Sequence, residues 1–483
     1  MRVLFTVAEL YPYVKTGGLG DVAAALPQAL RARGVDIRLM LPGYPALLEH
    51  ISRVEVVNLF DSYFGTNAAR MLRGQLPDGM VIYALDIPEF YHRSGPYVDE
   101  KGVDWPDNHL RFAALCRASA EIGMLDDDWK PDIIHGNDWH CGLIPVYLQA
   151  LRDAPPASVI TIHNISYQGL FPPEILSALE ISPDDRSQRD FEVHGKLGFL
   201  KAGLQHADEI TTVSPTYARE IQTPEHGCGL DSLLRLRSDD LTGILNGIDE
   251  DVWNPASDKY LSANYSSKTI KDKQRNREAL LALTGIHPAE GSPVFCVTSR
   301  LVHQKGLDML LEAVPPFLQQ GAALFVLGSG EQKLEEGFHQ LAKQFPDKVF
   351  ASNDYKETSA HRIIAGADAM LVPSRFEPCG LVQMYGLRYG TLPVVRKTGG
   401  LADSVSPETG FVFEEESASA LAEAIEDTIA TFRTPRQWAK MQREAMTHNF
   451  SWAASARRYR QIYEQLQDQK EIPRVGRPAT ITA

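Results

Sequence analysis

The peptide Lys-Thr-Gly-Gly-Leu occurs twice in this chain, as Lys15-Thr16-Gly17-Gly18-Leu19 and as Lys397-Thr398-Gly399-Gly400-Leu401. Each copy follows an apolar run of β type and opens a stretch with helical spacing. In a strand–turn–helix unit, glycine lets the backbone approach a ligand, and the N–H groups of the first helical turn point toward negative charge. One copy alone would fit an ordinary turn. The pair predicts two nucleotide-binding α/β domains that face each other across a cleft.

Length and composition indicate a globular protein with more than one domain. The chain has 483 residues, of which 44% are hydrophobic and 23% charged, enough for large cores in two or three domains. Its net charge of −14 would repel nucleic acids and anionic membranes, so neither is expected as a partner. A neutral polymer would not be repelled, and any phosphate site must be locally basic.

The cysteines predict a reducing compartment. They are odd in number, widely scattered and without the close pairs of a zinc site: Cys116, Cys141, Cys228, Cys296 and Cys379. The apolar segment Val3–Ala8 is too short for a signal peptide. No run approaches the roughly 20 apolar residues that cross a bilayer. We therefore expect a cytoplasmic protein.

Short β-branched runs alternate with helical segments throughout, which is typical of parallel sheets with crossover helices. The expected strands are Val3–Val7, Ile37–Leu41, Val81–Leu85, Asp132–His135, Val159–His163, Ile210–Val213, Val294–Ser299, Ala323–Leu327, Ala369–Pro373, Pro393–Val395 and Phe411–Phe413. In such sheets, ligands bind beyond the carboxyl ends of the strands. The expected fold class is α/β, with two Rossmann-like doubly wound domains.

The alternation breaks near residue 250, where turn-forming sequence begins. We predict an N-terminal domain over 1–250, with a β-hairpin and loop insertion at 61–108, and a C-terminal domain over 251–450. Residues 451–483 are expected to form a docking helix followed by a mobile tail after Ile472.

Two motifs follow strands of the second predicted domain. In Ser299–Gly306, Arg300 and Lys305 suit a diphosphate, because Arg binds phosphate bidentately and Lys adds a point charge. A solvated loop with incidental charges is the alternative. In Arg375–Leu381, Glu377 precedes an expected helix N-terminus at Gly380-Leu381, whose amides suit phosphate. The alternative for Glu377 is a helix-capping carboxylate.

Two further motifs follow strands of the first predicted domain. His163-Asn164 ends one strand, and Asn137-Asp138-Trp139-His140 follows another. Carboxylates and amides pair with sugar hydroxyls, and an indole can stack on an apolar sugar face. The pattern favours a sugar site, although a lone His is as often structural.

Several cofactor motifs are absent from the sequence. Lys333 stands where a dinucleotide fingerprint beginning at Gly328 needs its third glycine, and there is no P-loop. The Asp-x-Asp pairs Asp126–Asp128 and Asp249–Asp251 lie before a strand and in a turn. Neither a metal nor another cofactor is expected. Cys379 has no neighbouring His in sequence, so a buried thiol is favoured over a nucleophile.

Taken together, these motifs resemble the bacterial glycogen synthases and plant starch synthases of glycosyltransferase family 5. The resemblance covers nearly the whole chain. It is carried by Lys15–Val22, Thr161–Gln168, Asn246–Pro255, Ser299–Gly306, Pro373–Leu381 and Tyr385–Asp403.

The resemblance implies the GT-B architecture, with the active site between two Rossmann-like domains. It implies transfer of glucose from ADP-glucose to the non-reducing end of glycogen or another α-1,4-glucan, with retention at the anomeric carbon. Arg300 and Lys305 would then hold the diphosphate, and Tyr355 would stack on adenine. Lys15 would face the donor, and His163, Asn246 and Glu377 would line the glucose. The remaining predicted substrate-binding residues are Gly18, Asp21, Asp138, Asn164, Cys379, Gly380 and Leu381.

This chain differs from many enzymes of the same fold class in that it lacks the second glutamate of a catalytic pair. Many retaining GT-B enzymes have two glutamates eight positions apart, whereas Glu377 is followed at that spacing by Tyr385. Two rival functions stay open: a retaining transferase that uses a UDP- or GDP-sugar, and a non-catalytic protein that binds glucan or nucleotide sugar.

Overall fold

The structure, a computed structural model, describes residues 1–126, 128–151, 155–181 and 191–471. The predicted mobile tail after Ile472 lies outside the described residues. The chain forms two compact units. Unit 1 comprises Met1–Val213, Ala218–Ile244 and the chain from Trp452 onward, and unit 2 comprises Ser214–Tyr217 and Leu245–Ser451.

Unit 1 is built on a nine-stranded sheet of order β12-β11-β7-β6-β1-β2-β5-β4-β3, beside a three-stranded antiparallel sheet of order β8-β10-β9. The strands are β1 Arg2–Thr6, β2 Asp36–Pro42, β3 Ser52–Phe60, β4 Ala69–Gln75, β5 Val81–Asp86, β6 Ile133–Asn137, β7 Ala157–Ile162, β8 Leu170–Phe171, β9 Glu192–Val193, β10 Lys196–Gly198, β11 Glu209–Thr212 and β12 Leu241–Gly243. From β12 to β5 all neighbours are parallel, and the strands β1, β2 and β7 have the long buried runs typical of a parallel sheet.

Within the predicted insertion at 61–108, β4 and β5 pair as an antiparallel hairpin. The hairpin extends the main sheet, and β3 pairs with β4 to form the edge of that sheet. Sequence patterning missed β3 because its charged residues Arg53 and Glu55 alternate with valines, and this edge strand is largely exposed.

Helices cover the sheet of unit 1 along the chain. They are α1 Gly18–Arg31, α2 Pro45–Leu48, α3 Pro88–Tyr91, α4 Asn108–Leu125, α5 Ile144–Ala150, α6 Phe199–His206 and α8 Asp231–Leu236. Helix α7, Pro215–Glu220, begins in unit 2 and belongs to unit 1 from Ala218 onward. The order of the strands reverses at β1, which lies between β2 and β6. Such a switch point opens a crevice beyond the strand ends, where ligands bind.

Unit 2 is built on a six-stranded, wholly parallel sheet of order β15-β14-β13-β16-β17-β18. Its strands are β13 Val294–Thr298, β14 Ala323–Leu327, β15 Val349–Ser352, β16 Ala369–Val372, β17 Leu392–Arg396 and β18 Phe411–Phe413. Its helices are α9 Lys273–Thr284, α10 Leu307–Ala313, α11 Pro315–Gln319, α12 Gln332–Gln344, α13 Glu357–Gly366, α14 Val382–Arg388, α15 Gly399–Ser404, α16 Ala418–Phe432 and α17 Pro435–Thr447. Here the switch point lies between β13 and β16.

The C-terminal helix α18, Trp452–Glu471, packs on unit 1. Its buried stripe includes Tyr459 and Tyr463, and the Tyr463 hydroxyl lies 2.6 Å from Nδ1 of His135 on β6. At its start, the Ala453 carbonyl accepts a 2.7 Å hydrogen bond from Arg33. No helix in the described part of the chain is long and apolar enough to span a membrane.

Candidate active site

In unit 2, the two motifs predicted from sequence meet at the switch point. Residue Glu377 is only 6% exposed, and its Oε2 accepts hydrogen bonds from Lys305 Nζ at 2.5 Å and from Ser374 Oγ at 3.0 Å. A charge-assisted bond of this kind is strong in a water-poor site. Glu377 therefore pairs with Lys305, which distinguishes it from a helix-capping carboxylate.

Gly306 brings the Lys305 loop against the end of β16. Its φ of +65° lies in the left-handed region, and a Cβ at this position would be 2.0 Å from the Pro373 carbonyl oxygen. Only glycine meets both demands. The loop is also tied to the Glu377 turn by Gln304, whose Nε2 donates to the Phe376 carbonyl at 3.1 Å.

Arg300 lies at the same end of the sheet as Lys305 but is exposed. In the described part of the chain, no hydrogen bond or ion pair engages its guanidinium, which leaves all its donors for a ligand. Tyr355 follows β15 at this same sheet edge and is 56% exposed. A solvent-facing ring at a strand end can receive a flat ligand.

The turn after Glu377 carries three further predicted residues. Burial raises the pKa of the Cys379 thiol to about 12, so the thiol is not a nucleophile at neutral pH. Gly380 has a φ of +70°, and Leu381 directly precedes α14. Nearby, the Asn246 backbone N–H bonds to the Cys379 sulfur. Asn246 is 7% exposed, and among the described residues its Oδ1 has no partner, as expected for an atom that binds a ligand.

In unit 1, Asp138 occupies a strained backbone position after β6. Its φ of 59° and ψ of −175° fall in a region that essentially only glycine adopts. The side chain holds the next strand end, because Oδ1 accepts a 2.8 Å bond from the His163 N–H, and the Asn164 N–H also bonds to it. Burial raises the pKa of the Asp138 carboxyl to about 7.

His163 is held in its neutral form. Burial lowers the pKa of its imidazole to about 3, and Nε2 lies 3.0 Å from Asn137 Oδ1. The Asn137 amide is oriented by its Nδ2, which donates to the Thr6 carbonyl at 3.0 Å. Since Oδ1 only accepts, we assign the ring proton to Nε2. His163 is thus a neutral polar group rather than a general acid.

The Lys15 loop is organised by Glu9, a residue that sequence reasoning missed. Glu9 is 4% exposed, and its Oε2 accepts bonds from Thr16 N at 2.7 Å and Gly17 N at 3.2 Å. Its Oε1 accepts from the Tyr97 hydroxyl at 2.8 Å. The signal was a carboxylate directly after an apolar strand.

Lys15 itself is exposed, with Nζ 2.7 Å from Asp21 Oδ1, and Gly18 opens α1.

In both Lys-Thr-Gly-Gly-Leu turns, some of the amides expected to face an anion are bound within the protein. In the first copy, the carboxylate of Glu9 already occupies the amides of Thr16 and Gly17. In the second, Gly400 N donates to the Glu377 carbonyl at 3.0 Å. In each turn, backbone amides therefore donate to acceptors of the protein itself. A local sequence pattern does not reveal these acceptors.

Trp139 is also used differently from the predicted sugar-stacking role. A Cβ on Gly169 would lie 2.2 Å from its indole, and Phe112, Phe171 and Phe199 pack around it. The indole therefore serves packing. Among the described residues, no group of three or more His, Cys, Asp or Glu side chains is arranged to hold a metal.

Two family models match consecutive parts of this chain. Residues 2–236 match the starch synthase catalytic domain, and residues 285–445 match glycosyl transferases group 1. A glycogen synthase from Roseobacter denitrificans is 46% identical, and one from Rhodopseudomonas palustris is 48% identical. Both alignments cover 96% of this chain and 99% of the relative.

Solved structures agree with these matches. The catalytic domain of starch synthase IV from Arabidopsis thaliana, bound to ADP and acarbose, aligns with a TM-score of 0.84 and 31% identity over 96% of this chain and 99% of that one. A sucrose-phosphate synthase from Thermosynechococcus elongatus shares the fold, with a TM-score of 0.61 and 19% identity over 97% and 99% of the two chains. Fold and matches together define a GT-B glycosyltransferase. Within that class, the chain belongs to the family of glycogen and starch synthases.

Proposed function

We propose that this protein is a glycogen synthase that transfers glucose from ADP-glucose to the non-reducing end of an α-1,4-glucan, with retention at the anomeric carbon. The observation that carries the proposal is the partly buried Lys305–Glu377 pair at the switch point of unit 2. The pair sets a cation, which suits a leaving diphosphate, beside a carboxylate, which suits a sugar hydroxyl.

For unit 2, we propose that Arg300 and Lys305 bind the diphosphate leaving group. Negative charge grows on that group as the C1–O bond breaks, and fixed cations stabilise it without rearrangement. Glu377 binds a glucose hydroxyl, and Tyr355 stacks on the base. Asn246 supports the sugar with its unpartnered Oδ1. Cys379, Gly380 and Leu381 form the turn beside the proposed donor site.

For unit 1, we propose that Lys15 and the neutral His163 bind the transferred sugar and its phosphate. Asp138 holds the backbone N–H groups of His163 and Asn164, and Asp21 fixes the Lys15 ammonium. Gly18 keeps the start of α1 open to the ligand.

Retention is proposed to proceed by same-face attack. The acceptor hydroxyl attacks C1 from the side of the departing diphosphate, whose oxygen takes the hydroxyl proton. The position that carries a second acid in other retaining enzymes is Tyr385, whose ring stacks on Trp253 with centroids 3.8 Å apart. Trapping a covalent glycosyl-enzyme would contradict this mechanism.

We also propose a cytoplasmic location. All five cysteines are free thiols, which suits a reducing compartment.

The proposal is tested by incorporation of labelled glucose into glycogen from ADP-glucose and from UDP-glucose. We expect incorporation mainly from ADP-glucose, and its loss in Glu377→Ala. The matched control is Glu414→Ala, since Glu414 also pairs with a lysine, Lys397, but at the surface. Preference for UDP-glucose would favour the rival transferase. Binding of ADP without any transfer would favour a non-catalytic binding protein.

A further inference from the structure

Residues 376–380 form the turn that carries Glu377, and each of their backbone carbonyls accepts a hydrogen bond from another group of the protein. Five consecutive carbonyl oxygens accept hydrogen bonds from four separate segments of unit 2. The bonds are Gln304 Nε2 to Phe376 O at 3.1 Å, Gly400 N to Glu377 O at 3.0 Å, Ser214 Oγ to Pro378 O at 2.6 Å, and Gln383 Nε2 to Cys379 O at 3.0 Å and to Gly380 O at 2.9 Å.

Gln383 is the only one of these donors that binds two turn carbonyls. Its side chain is fully buried, and the same Nε2 lies 3.1 Å from Ser404 Oγ. The Ser404 hydroxyl in turn donates to the Gly400 carbonyl at 2.6 Å. Gln383 therefore joins the Glu377 turn to the start of α15, whose Gly400 amide holds the Glu377 carbonyl.

The amide orientation of Gln383 follows from its surroundings. Three oxygen atoms surround Nε2, which has two hydrogens to donate, so the nitrogen must face them. Oε1 lies against Gly380, where an added Cβ would be 2.4 Å away. With a fully buried side chain, Gln383 has no route to a substrate and acts only through the turn.

We propose that Gln383 is a positioning residue for Glu377, an inference that rests on the proposed glucosyl transfer. By holding the two carbonyls after Pro378, it keeps the Glu377 side chain at Lys305. Displacement of a reacting group by about 1 Å costs on the order of 10²-fold in rate. The turn is thus part of the catalytic apparatus although Gln383 never touches substrate.

Gln383→Glu tests the proposal with little change in shape. A carboxylate oxygen replaces the donor and faces two carbonyl oxygens. The matched control is Gln442→Glu, because Gln442 is a buried glutamine of the same unit, whose Nε2 donates to the Gly390 carbonyl at 2.8 Å. We expect kcat to fall on the order of 10²-fold in Gln383→Glu, with KM for ADP-glucose nearly unchanged, and kcat to stay near normal in the control. Equal kcat values in the two variants would overturn the proposal.

A double-mutant comparison separates positioning from general damage. If Gln383 acts through Glu377, adding Gln383→Glu to Glu377→Ala lowers the residual kcat by no more than about twofold, because the group being positioned is already gone. A further loss on the order of 10²-fold would mean that Gln383 acts independently of Glu377 and would contradict the proposal.

Hydrogen exchange of a backbone amide tests the contact made by Gln383 without relying on glucosyl transfer. If the wild-type chain transfers no glucose from ADP-glucose, the proposed function fails. The positioning contact is then read from the Gly400 amide, which donates to the Glu377 carbonyl. In the full-length protein, this amide is expected to exchange at least about tenfold faster in Gln383→Glu than in Gln442→Glu. Equal protection in both variants would overturn the contact's role.

Discussion

The two copies of Lys-Thr-Gly-Gly-Leu are identical in sequence but differ in their surroundings. In the first copy, a Cβ added to Gly17 would meet no atom within 4 Å. In the second, a Cβ added to the equivalent Gly399 would lie 1.9 Å from the Glu377 carbonyl oxygen, and Gly399 has a φ of +43°. The first copy is an open loop, whereas the second is a packed support beneath the turn that carries Glu377.

The polar residues of the two copies differ in the same way. Lys15 pairs with Asp21, six residues further on, in the first turn of α1. The equivalent Lys397 pairs instead with Glu414 at the surface, and the equivalent Asp403 accepts two 2.7 Å bonds from Thr216. The same peptide therefore presents a lysine in unit 1, whereas in unit 2 it is followed by an aspartate that holds the start of α7. Local sequence defines the turn, and tertiary contacts define its use.

The largest expected difference concerns the paired glycines. Gly399→Ala forces a Cβ into the Glu377 carbonyl at a φ unfavourable to alanine, and we expect it to lower the unfolding free energy of unit 2 by about 3 kcal/mol. Gly17→Ala has open space and an extended backbone, with φ of −151°, so its effect should be under about 0.5 kcal/mol. Thermal and urea unfolding of both variants measure the contrast.

Equal stability losses in these two variants would contradict the distinction between an open and a packed copy. A variant Gly399→Ala that folds normally but has lost activity would still fit it, because the turn that carries Glu377 would have moved.

The next effect concerns the paired lysines. Lys15→Ala removes a proposed donor-binding cation and is expected to lower kcat on the order of 10²-fold. Lys397→Ala removes an exposed ion pair, whose side chains are 57% and 73% exposed, and activity should stay within about twofold. Steady-state assays of both variants with ADP-glucose check this. A comparable loss in Lys397→Ala would mean that the second copy also binds ligand.

Much of the fold was predictable because its strands are continuous apolar runs. Ala323–Leu327 and Phe411–Phe413 match the observed strands residue for residue, and Val294–Ser299 overruns by one. The prediction gave no bounds for β4 within the hairpin expected at 61–108, because Arg70 and Arg73 break its apolar run, and it missed the short strand β15. These strands are specified by their sheet neighbours more than by their own composition.

Residues of the candidate site were predictable from sequence only where a charged or polar residue directly follows a predicted strand. Lys305 and Glu377 were both found this way, although nothing in sequence shows that they touch across 72 positions. Glu9 and Gln383 escaped prediction for the opposite reason. Their importance lies in the backbone groups that they bind, and such contacts leave no local pattern.

A smaller difference is expected at the paired aspartates. Asp403→Ala removes the acceptor for both the N–H and the hydroxyl of Thr216, and should lower the unfolding free energy by about 2 kcal/mol. Asp21→Ala removes a partly exposed ion pair and should cost under about 1 kcal/mol. Urea unfolding of the two variants ranks them. The reverse ranking would show that the second copy is not braced through Asp403.

The smallest effect is a difference in pH dependence. Burial raises the pKa of the Glu9 carboxyl, which holds the first copy, whereas the exposed Glu414 beside the second copy has its pKa lowered by the Lys397 hydrogen bond. A raised pKa contributes stability that is present below the ordinary value and lost as pH rises through the raised value. A lowered pKa contributes stability that is present above the ordinary value and lost as pH falls through the lowered value.

Glu9→Gln and Glu414→Gln should therefore change stability with opposite dependence on pH. Glutamine cannot ionise, so Glu9→Gln escapes the loss that the wild type suffers as pH rises from about 4.5, and its Tm relative to wild type should increase toward pH 7. Glu414→Gln lacks the ion pair, so its Tm should be slightly below that of wild type by a nearly constant amount above about pH 4.5, and this deficit should shrink as pH falls below that value. Melting curves at several pH values measure both differences. Parallel trends would mean that the Glu9 carboxyl is not desolvated, and that the first copy is held by ordinary surface interactions.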